Sequence, residues 1–493
     1  MRLSTKADEP RKPIKKPRRS VRQFLRDYPS RHPLWTAFFI GVVYFGFIIS
    51  WMFSIRTAEI AQGIAVKFVA FSAGLIMTGS FALGFVLFVW LYRRLGLRLT
   101  QRRALWMVPA LWVVTEYVRA IIFSVVSMGP GGRIGPYWTF GNIGYFMAET
   151  PFGFAARFGG LYLLTGIAAL LFVAGYQSWK KRDPLPILIV VFVAGLLSFA
   201  GYHSYKTASG PTRTIGTVRY AYKQEATQYS NESYSILEQV PDDSLDILVL
   251  PEYSHYFEEA RDEDIPRVQR IMRRDDGLVI HSAREDIQSL GHNMLTFQAP
   301  DGQVLNQQEK WFVVPAGEYV PYIYQVILAY AGQERLLLDF NNQKSVNRGE
   351  TVESPYVFDG VSYGAHACSG VIAPEFYNQL AQAGADVFSN SAALDTMGVS
   401  PLFHIESQNM NRLAAIAHAK PFIQGAKGGP AYIIDHNGQL VGKNYELGGG
   451  VVIGDVQTNT TKTLYTYLGD WIVYLSIIGL GAYLIHRKVT HKK

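Results

Sequence analysis

Hydrophobic and polar positions divide the chain into two textures. In the first two-fifths, long apolar runs cover about residues 34–55, 68–92, 104–126, 154–176 and 185–200, and a similar run returns at 467–485. A helix needs roughly 20 apolar residues to cross the hydrocarbon core of a bilayer, so these predict six membrane spans, the fifth of them short. The Gly-rich, aromatic stretch 129–152 reads as a loop or as a re-entrant piece in the interface. From residue 213 the period shortens to that of strands alternating with helices. Strands are predicted at 214–219, 245–250, 277–281, 293–298, 361–366, 386–389, 422–425, 431–435 and 439–442, with helices at 265–274 and 404–418. Asp301-Gly302 and Asn437-Gly438 are turn dipeptides that mark hairpins.

Loop charge orients the spans, because Lys and Arg accumulate on the cytoplasmic side. Basic clusters fall in the N-terminal tail (Lys15, Lys16, Arg18, Arg19), between spans two and three (Arg93, Arg94, Arg98, Arg102, Arg103), between four and five (Lys180, Lys181, Arg182) and after the last span (Arg487, Lys488, Lys492, Lys493). The alternate loops hold few: Arg56 and Lys67 flank one, Arg119 and Arg133 the other. Six spans put every cluster on one side. The expected layout is a basic cytoplasmic tail (1–33), a membrane bundle (34–200), an extracytoplasmic α/β domain (201–466) and a final span with a basic tail (467–493), both termini inside. The first apolar run follows a long polar tail and precedes no small-residue cleavage signature, so it reads as a retained span.

Composition agrees. The chain of 493 residues is 49% hydrophobic and only 17% charged, below the quarter usual in soluble domains. A net charge of +8 would also suit nucleic-acid binding, but the basic residues lie beside apolar runs, which favours the membrane. The single cysteine, Cys368, excludes an internal disulfide and a structural Cys₄ or Cys₂His₂ metal site. The histidines are scattered, and no metal is expected.

Three tracts carry candidate chemistry. Glu252 follows an apolar strand in VLPEYSHY, and ligands collect at the carboxyl ends of strands in α/β sheets. Lys310 and Glu318 flank the Pro/Gly turn of EKWFVVPAGEYVP. Cys368 opens the turn Cys368-Ser369-Gly370 after an apolar run; a lone cysteine of this kind is usually a small buried hydrophobe. In the bundle, Glu116 and Arg119 share one helical face, and charges at membrane depth face a protein interior or a polar cavity.

These tracts, in this order, resemble the nitrilase (carbon–nitrogen hydrolase) superfamily, and most nearly its membrane-bound branch, the apolipoprotein N-acyltransferases. The resemblance implies a Glu–Lys–Cys triad of Glu252, Lys310 and Cys368, with Glu318 as accessory carboxylate and Ser369 and Gly370 beside the nucleophile. Trp112, Glu116 and Arg119 resemble the branch's W-x₃-E-x₂-R tract, and Gly135-Pro136-Tyr137-Trp138 its Pro-Trp loop. It departs from the family in having Ser369-Gly370 where Tyr-Glu is usual, and Asn390-Ser391-Ala392-Ala393-Leu394-Asp395 without the family tryptophan. The implied fold is an α/β nitrilase-like sandwich (αββα) attached to a multi-span transmembrane helical bundle in a bacterial-type inner membrane. The implied reaction moves an acyl chain from a phospholipid, through a cysteine thioester, to the N-terminal amine of a diacylglyceryl-cysteine lipoprotein, without cofactor, metal or nucleic acid. Two alternatives stand beside it: a membrane-bound amidase or transferase for another lipid-linked amine or amide, and a non-catalytic lipoprotein-binding relative.

Overall fold

The computed structural model describes residues 31–55, 64–221, 235–254, 265–273, 277–287, 290–343, 345–397, 400–446 and 448–490. The basic tail 1–30, Arg56, Lys492 and Lys493 lie outside the described residues.

Among the described residues, five helices are long and apolar enough to cross a membrane: Ala70–Arg94, Ala104–Val126, Gly153–Lys181, Leu185–Tyr205 and Trp471–Thr490. The helix of the first apolar run, α1 (Pro33–Ile48), is shorter than a span, which corrects the expectation of a helix through residue 55. It gives way to a 3₁₀ turn at Ser50–Ser54. There Trp51 packs edge-on against Phe403 of the α/β domain at 4.9 Å, so the end of this run belongs to an internal seam rather than to lipid. We label the longer helices α2 (Ile64–Arg94), α3 (Ala104–Val126), α4 (Ala156–Lys181) and α5 (Leu185–Tyr205). α5 runs past the expected end at residue 200. Gly201 lets it approach the Phe154 carbonyl, and the Ser198 hydroxyl donates to Pro151 O (2.6 Å), so its weakly polar end is satisfied inside the protein. The ambiguous stretch 129–152 is largely irregular, with a short helix at Ile143–Met147.

Among the described residues the α/β domain has twelve strands: β1 (Thr212–Tyr220), β2 (Ile247–Glu252), β3 (Leu278–Ile287), β4 (Leu290–Gln298), β5 (Val304–Glu309), β6 (Tyr356–Phe358), β7 (Val361–Ala367), β8 (Val387–Ala393), β9 (Phe422–Lys427), β10 (Ala431–Ile434), β11 (Leu440–Asn444) and β12 (Gly450–Gln457). One half runs β5-β4-β3-β2-β1-β12 and the other β6-β7-β8-β9-β10-β11. They join where Arg219 and Tyr220 of β1 lie beside Ala426 and Lys427 of β9. The hairpins expected at Asp301-Gly302 and Asn437-Gly438 are present as β4–β5 and β10–β11. β6, β12 and the helices α7 (Tyr322–Tyr330), α8 (Glu334–Gln343) and α9 (Pro374–Gln382) were not anticipated.

Strand periodicity sets the layers. Ile247 and Val249 of β2 point inward with Val387 and Ile423 of the other half, forming the core between the sheets. Leu248 and Leu250 point outward under α6 (Ile265–Ile271), with Val268 and Ile271. On the opposite outer face, Phe388 and Phe422 pack under α9 and α10 (Pro401–His418). This is an αββα sandwich. Its α9/α10 face continues without a break into the bundle, where Phe376, Phe312 and Phe403 share one buried cluster with Phe45, Phe81, Phe123 and Trp138. Polar bonds tie the same seam: Thr139 Oγ1 donates to Ile372 O (2.5 Å), and Arg157 donates to Ile416 O and His436 O. α11 (Trp471–Thr490) returns to the bundle, with Trp471 Nε1 donating to Phe158 O.

Candidate active site

Strand ends deliver the reactive side chains. Glu252 is the last residue of β2, not the first after it, and Tyr253 beyond it turns with φ +55°. Lys310 follows β5, and its N–H donates to Asn293 O of β4, which fixes its register. Cys368 follows β7 and opens a 3₁₀ turn at φ +48°. A non-glycine residue in that region costs about 1–3 kcal/mol and persists only where the surroundings fix it. Here the Ser369 hydroxyl donates to Phe312 O (2.6 Å) and Asn390 Nδ2 to Cys368 O (3.4 Å). A Cβ on Gly370 would lie 2.6 Å from His366 Cβ, so the departure at this position fits the local packing.

The structure brings Glu252, Lys310 and Glu318 into one buried cluster, with the half-buried Cys368 near enough to feel the charge of all three. Lys310 Nζ sits 3.2 Å from Glu252 Oε1 and 2.8 Å from Glu318 Oε1. Glu318 is held in turn by the Val314 N–H, which donates to its Oε2 (2.7 Å). Asn293, absent from the sequence reading, donates from Nδ2 to Glu252 Oε1 (2.6 Å) and reaches Tyr253 OH (3.2 Å). The sequence offered little signal for it, a polar residue before Met294-Leu295 in a strand that also holds His292 and Thr296; only the structure shows it fully buried.

Electrostatics follow from this packing. Burial would strip the proton from Lys310, but Glu252 and Glu318 outweigh it and hold the ammonium well above the usual lysine range. Cys368 is shifted upward as well, but here burial is the main cause. Burial, then the charge of Glu252, push its thiol well above its ordinary value, and Lys310 offsets only part of this. At rest Cys368 is therefore a neutral thiol that feels a fixed cation and a carboxylate.

Cys368 also lines an apolar cavity of about 100 Å³ that crosses the seam. Met77 and Phe123 line it from the bundle, Trp138 from the loop after α3, and Val371, Leu394 and Met410 from the sandwich. Trp112, Glu116 and Arg119 do not reach it. Arg119 Nη2 pairs with Glu116 Oε2 at 2.7 Å inside the bundle, with the guanidinium over Phe81 and Phe45 (4.7 and 4.8 Å). Trp112 packs against Phe85 and Phe88. These three residues hold helices together.

A Glu–Lys–Cys cluster at the strand ends of an αββα sandwich, fused to membrane helices, defines a membrane-embedded carbon–nitrogen-hydrolase-like protein. Residues 23–174 match the family model described as the apolipoprotein N-acyltransferase N-terminal domain. The apolipoprotein N-acyltransferase of Vibrio vulnificus is 22% identical over 90% of this chain and 86% of its own, and that of Pasteurella multocida 24% identical over 92% and 88%. The crystal structure of a carbon–nitrogen hydrolase from Helicobacter pylori G27 covers 50% of this chain and 89% of its own, at 16% identity and TM-score 0.38. The chain is thus similar to apolipoprotein N-acyltransferases over most of its length, and it is a multi-pass membrane protein.

Proposed function

We propose that this protein transfers an acyl chain from a phospholipid, through a thioester on Cys368, to the N-terminal amine of a diacylglyceryl-cysteine lipoprotein. The observation that carries the reading is the apolar cavity that meets the Cys368 thiol and is walled by both bundle and sandwich. An acyl chain held there stays out of water, which each exposed CH₂ would otherwise charge at about 0.8 kcal/mol.

Glu252 takes the thiol proton as sulfur attacks the ester carbonyl. Asn293 and Lys310 both bond its Oε1, which leaves Oε2 for that proton. The Lys310 ammonium, with the Ser369 N–H, stabilises the tetrahedral oxyanion. Collapse expels the lysophospholipid alkoxide, which takes the proton back from Glu252. The lipoprotein amine then attacks the thioester and gives a proton to Glu252. The amide forms, and the released sulfur recovers that proton as a thiol. Glu318 holds Lys310 in place throughout.

Sidedness belongs to the same proposal. The basic stretch after α2 and the C-terminal residues meet at one end of the bundle, where Arg487 donates to Arg94 O and Arg103 to Tyr483 OH. Positive charge gathered there supports that end as cytoplasmic and the sandwich as extracytoplasmic; α1 and its 3₁₀ turn run from the same end, where Arg31 shares a pocket with Arg93 and Arg94, to the seam at Trp51, which supports both termini as inside.

The test is mass spectrometry on purified protein given phospholipid and a diacylated lipopeptide with a free N-terminal amine. The expected products are acylated Cys368, then lipopeptide heavier by one acyl chain, both absent in C368A. Hydrolysis of the adduct without transfer would instead support an amidase. A C368A protein that transfers at the wild-type rate would end the thioester mechanism.

A further inference from the structure

We infer that Arg133 and Arg348 form a phosphate subsite at the seam, which holds the headgroup of the lipid whose ester meets Cys368. The inference rests on the acyl-transfer reading above and adds to it the part of the lipid that is recognised.

Arg133 comes from the membrane half, on the loop that leaves α3 at Val126, and Arg348 from the sandwich, on the segment after α8. The glycines of Gly129-Pro130-Gly131-Gly132 bring them together. A Cβ on Gly131 would lie 2.6 Å from Val313 Cγ2, and one on Gly129 2.7 Å from Tyr319 Cδ2, so this loop lies flat on the tract that follows Lys310. Tyr319 OH donates to Ser127 O and the Tyr322 N–H to Met128 O (2.9 and 2.8 Å), which pins it there. The Arg133 guanidinium then stacks over Trp311, the residue after Lys310, at 4.1 Å from the ring centre. Arg348 Nη1 reaches Gly132 O only at 3.4 Å.

Two guanidiniums thus share one corner with no anion of their own. Among the described residues neither forms an ion pair, and the Nε of each is buried without a hydrogen-bond partner. Two nearby carboxylates are engaged elsewhere, and Glu350 is exposed and forms no ion pair with Arg348. Glu353 accepts from the Trp311 N–H and pairs with His366, and Glu375 accepts from Gln379. Burial and the facing Arg133 both press the Arg348 pKa below its usual range, the response of a cation lacking a counter-charge. A planar fork of N–H donors suits a phosphate, and Trp311 orients one fork by cation–π contact. Both arginines are half-buried, so the corner remains open to a ligand. In a phospholipid the acyl ester lies a few bonds from the phosphate. A phosphate held over Trp311 therefore presents the ester toward Lys310 and its acyl chain toward the apolar cavity.

The test compares two acyl donors on the full chain in detergent. One is a short-chain phosphatidylglycerol; the other is the p-nitrophenyl ester of the same acid, which has no phosphate. Acylation of Cys368 is read by intact mass against donor concentration. In R133Q/R348Q, the half-saturating concentration for the phospholipid, divided by that for the nitrophenyl ester, rises roughly tenfold or more, as expected for lost charge-assisted hydrogen bonds. Because general misfolding would affect both donors alike, only a change in the ratio supports the inference, and an unchanged ratio overturns it. A binding arm uses C368S protein with phosphatidylglycerol or with inorganic phosphate, read by ³¹P line broadening. Weaker binding of the lipid in the double variant supports the assignment. If only inorganic phosphate is affected, the pair is a free-anion site and the headgroup assignment falls. If wild type is acylated by neither donor, the acyl-transfer reading fails, and the binding arm still decides whether the pair holds lipid phosphate.

Discussion

Lys310 is the residue whose removal tests both the site and the energetics behind it. It is almost fully buried, with only 2% of its side chain exposed, between the carboxylates of Glu252 and Glu318. K310M keeps most of the side-chain volume and removes the charge, so two acidic groups face each other with no cation. Breaking a buried pair by deleting one partner costs about 3–5 kcal/mol. At about 2–4 °C per kcal/mol for a domain of this size, the melting temperature falls by roughly 6–20 °C. Neutralising one acid in the same background, K310M/E318Q, recovers part of that loss, because the repulsion goes with the charge. The wild-type ion pair carries its own pH signature. Since the folded-state pKa of Lys310 is raised, its stabilisation is complete below the ordinary lysine value and disappears as pH rises through the raised one. Chemistry should suffer more than folding: loss of an oxyanion donor costs on the order of 10²–10³-fold in rate. The assay pairs thermal melting in detergent with the rate of Cys368 acylation at a temperature where both proteins are folded. A K310M protein that melts like wild type, or acylates at the same rate, would refute the arrangement of charge proposed for this site.

Three further predictions follow from single contacts. The raised thiol of Cys368 is mostly protonated at pH 7, so alkylation by iodoacetamide should climb steadily from pH 7 to 9; a plateau below pH 8 would contradict the burial argument. G131A places a methyl group 2.6 Å from Val313 and 2.9 Å from Tyr319, and such overpacking should destabilise the protein by about 1–3 kcal/mol, seen as a lower melting temperature. Glu406 on α10 accepts the Gly141 N–H (2.5 Å), and burial, partly countered by that bond and by Arg119, pushes its pKa up to about 7. Its favourable share of stability is therefore complete below the ordinary carboxylate range and lost as pH rises through about 7. E406Q should flatten the melting temperature between pH 6 and 8, and an identical slope in the two proteins would show that another group titrates.

The repeating patterns were legible in the chain because they are local. Lipid selects long apolar runs, and α3 appeared at the expected residues 104–126. Strand alternation located β1 to β4 and β7 to β11 to within a few residues, and three separated tracts marked Glu252, Lys310 and Cys368. Local pattern failed where an element serves a neighbour. The run from residue 34 reads as one continuous span, but Trp51 ends it by packing on Phe403, far away in the chain. β6 and β12 were missed because they are short or bounded by glycine, and their partners β7 and β1 hold them in place. Tertiary structure alone brought Asn293 to Glu252, 41 residues away, and set Lys310 between carboxylates 58 residues before it and 8 after it. It also built the cavity at Cys368 from both halves of the molecule and stacked Arg133 on Trp311 across the same seam. The physical reason is that a hydrophobic period specifies which face of an element is buried, whereas the meeting of two charges depends on sheet register and on how closely backbones approach. Those are properties of the assembled layers, fixed here by strand pairing and by glycines whose absent side chains let the loop after α3 lie against the sandwich.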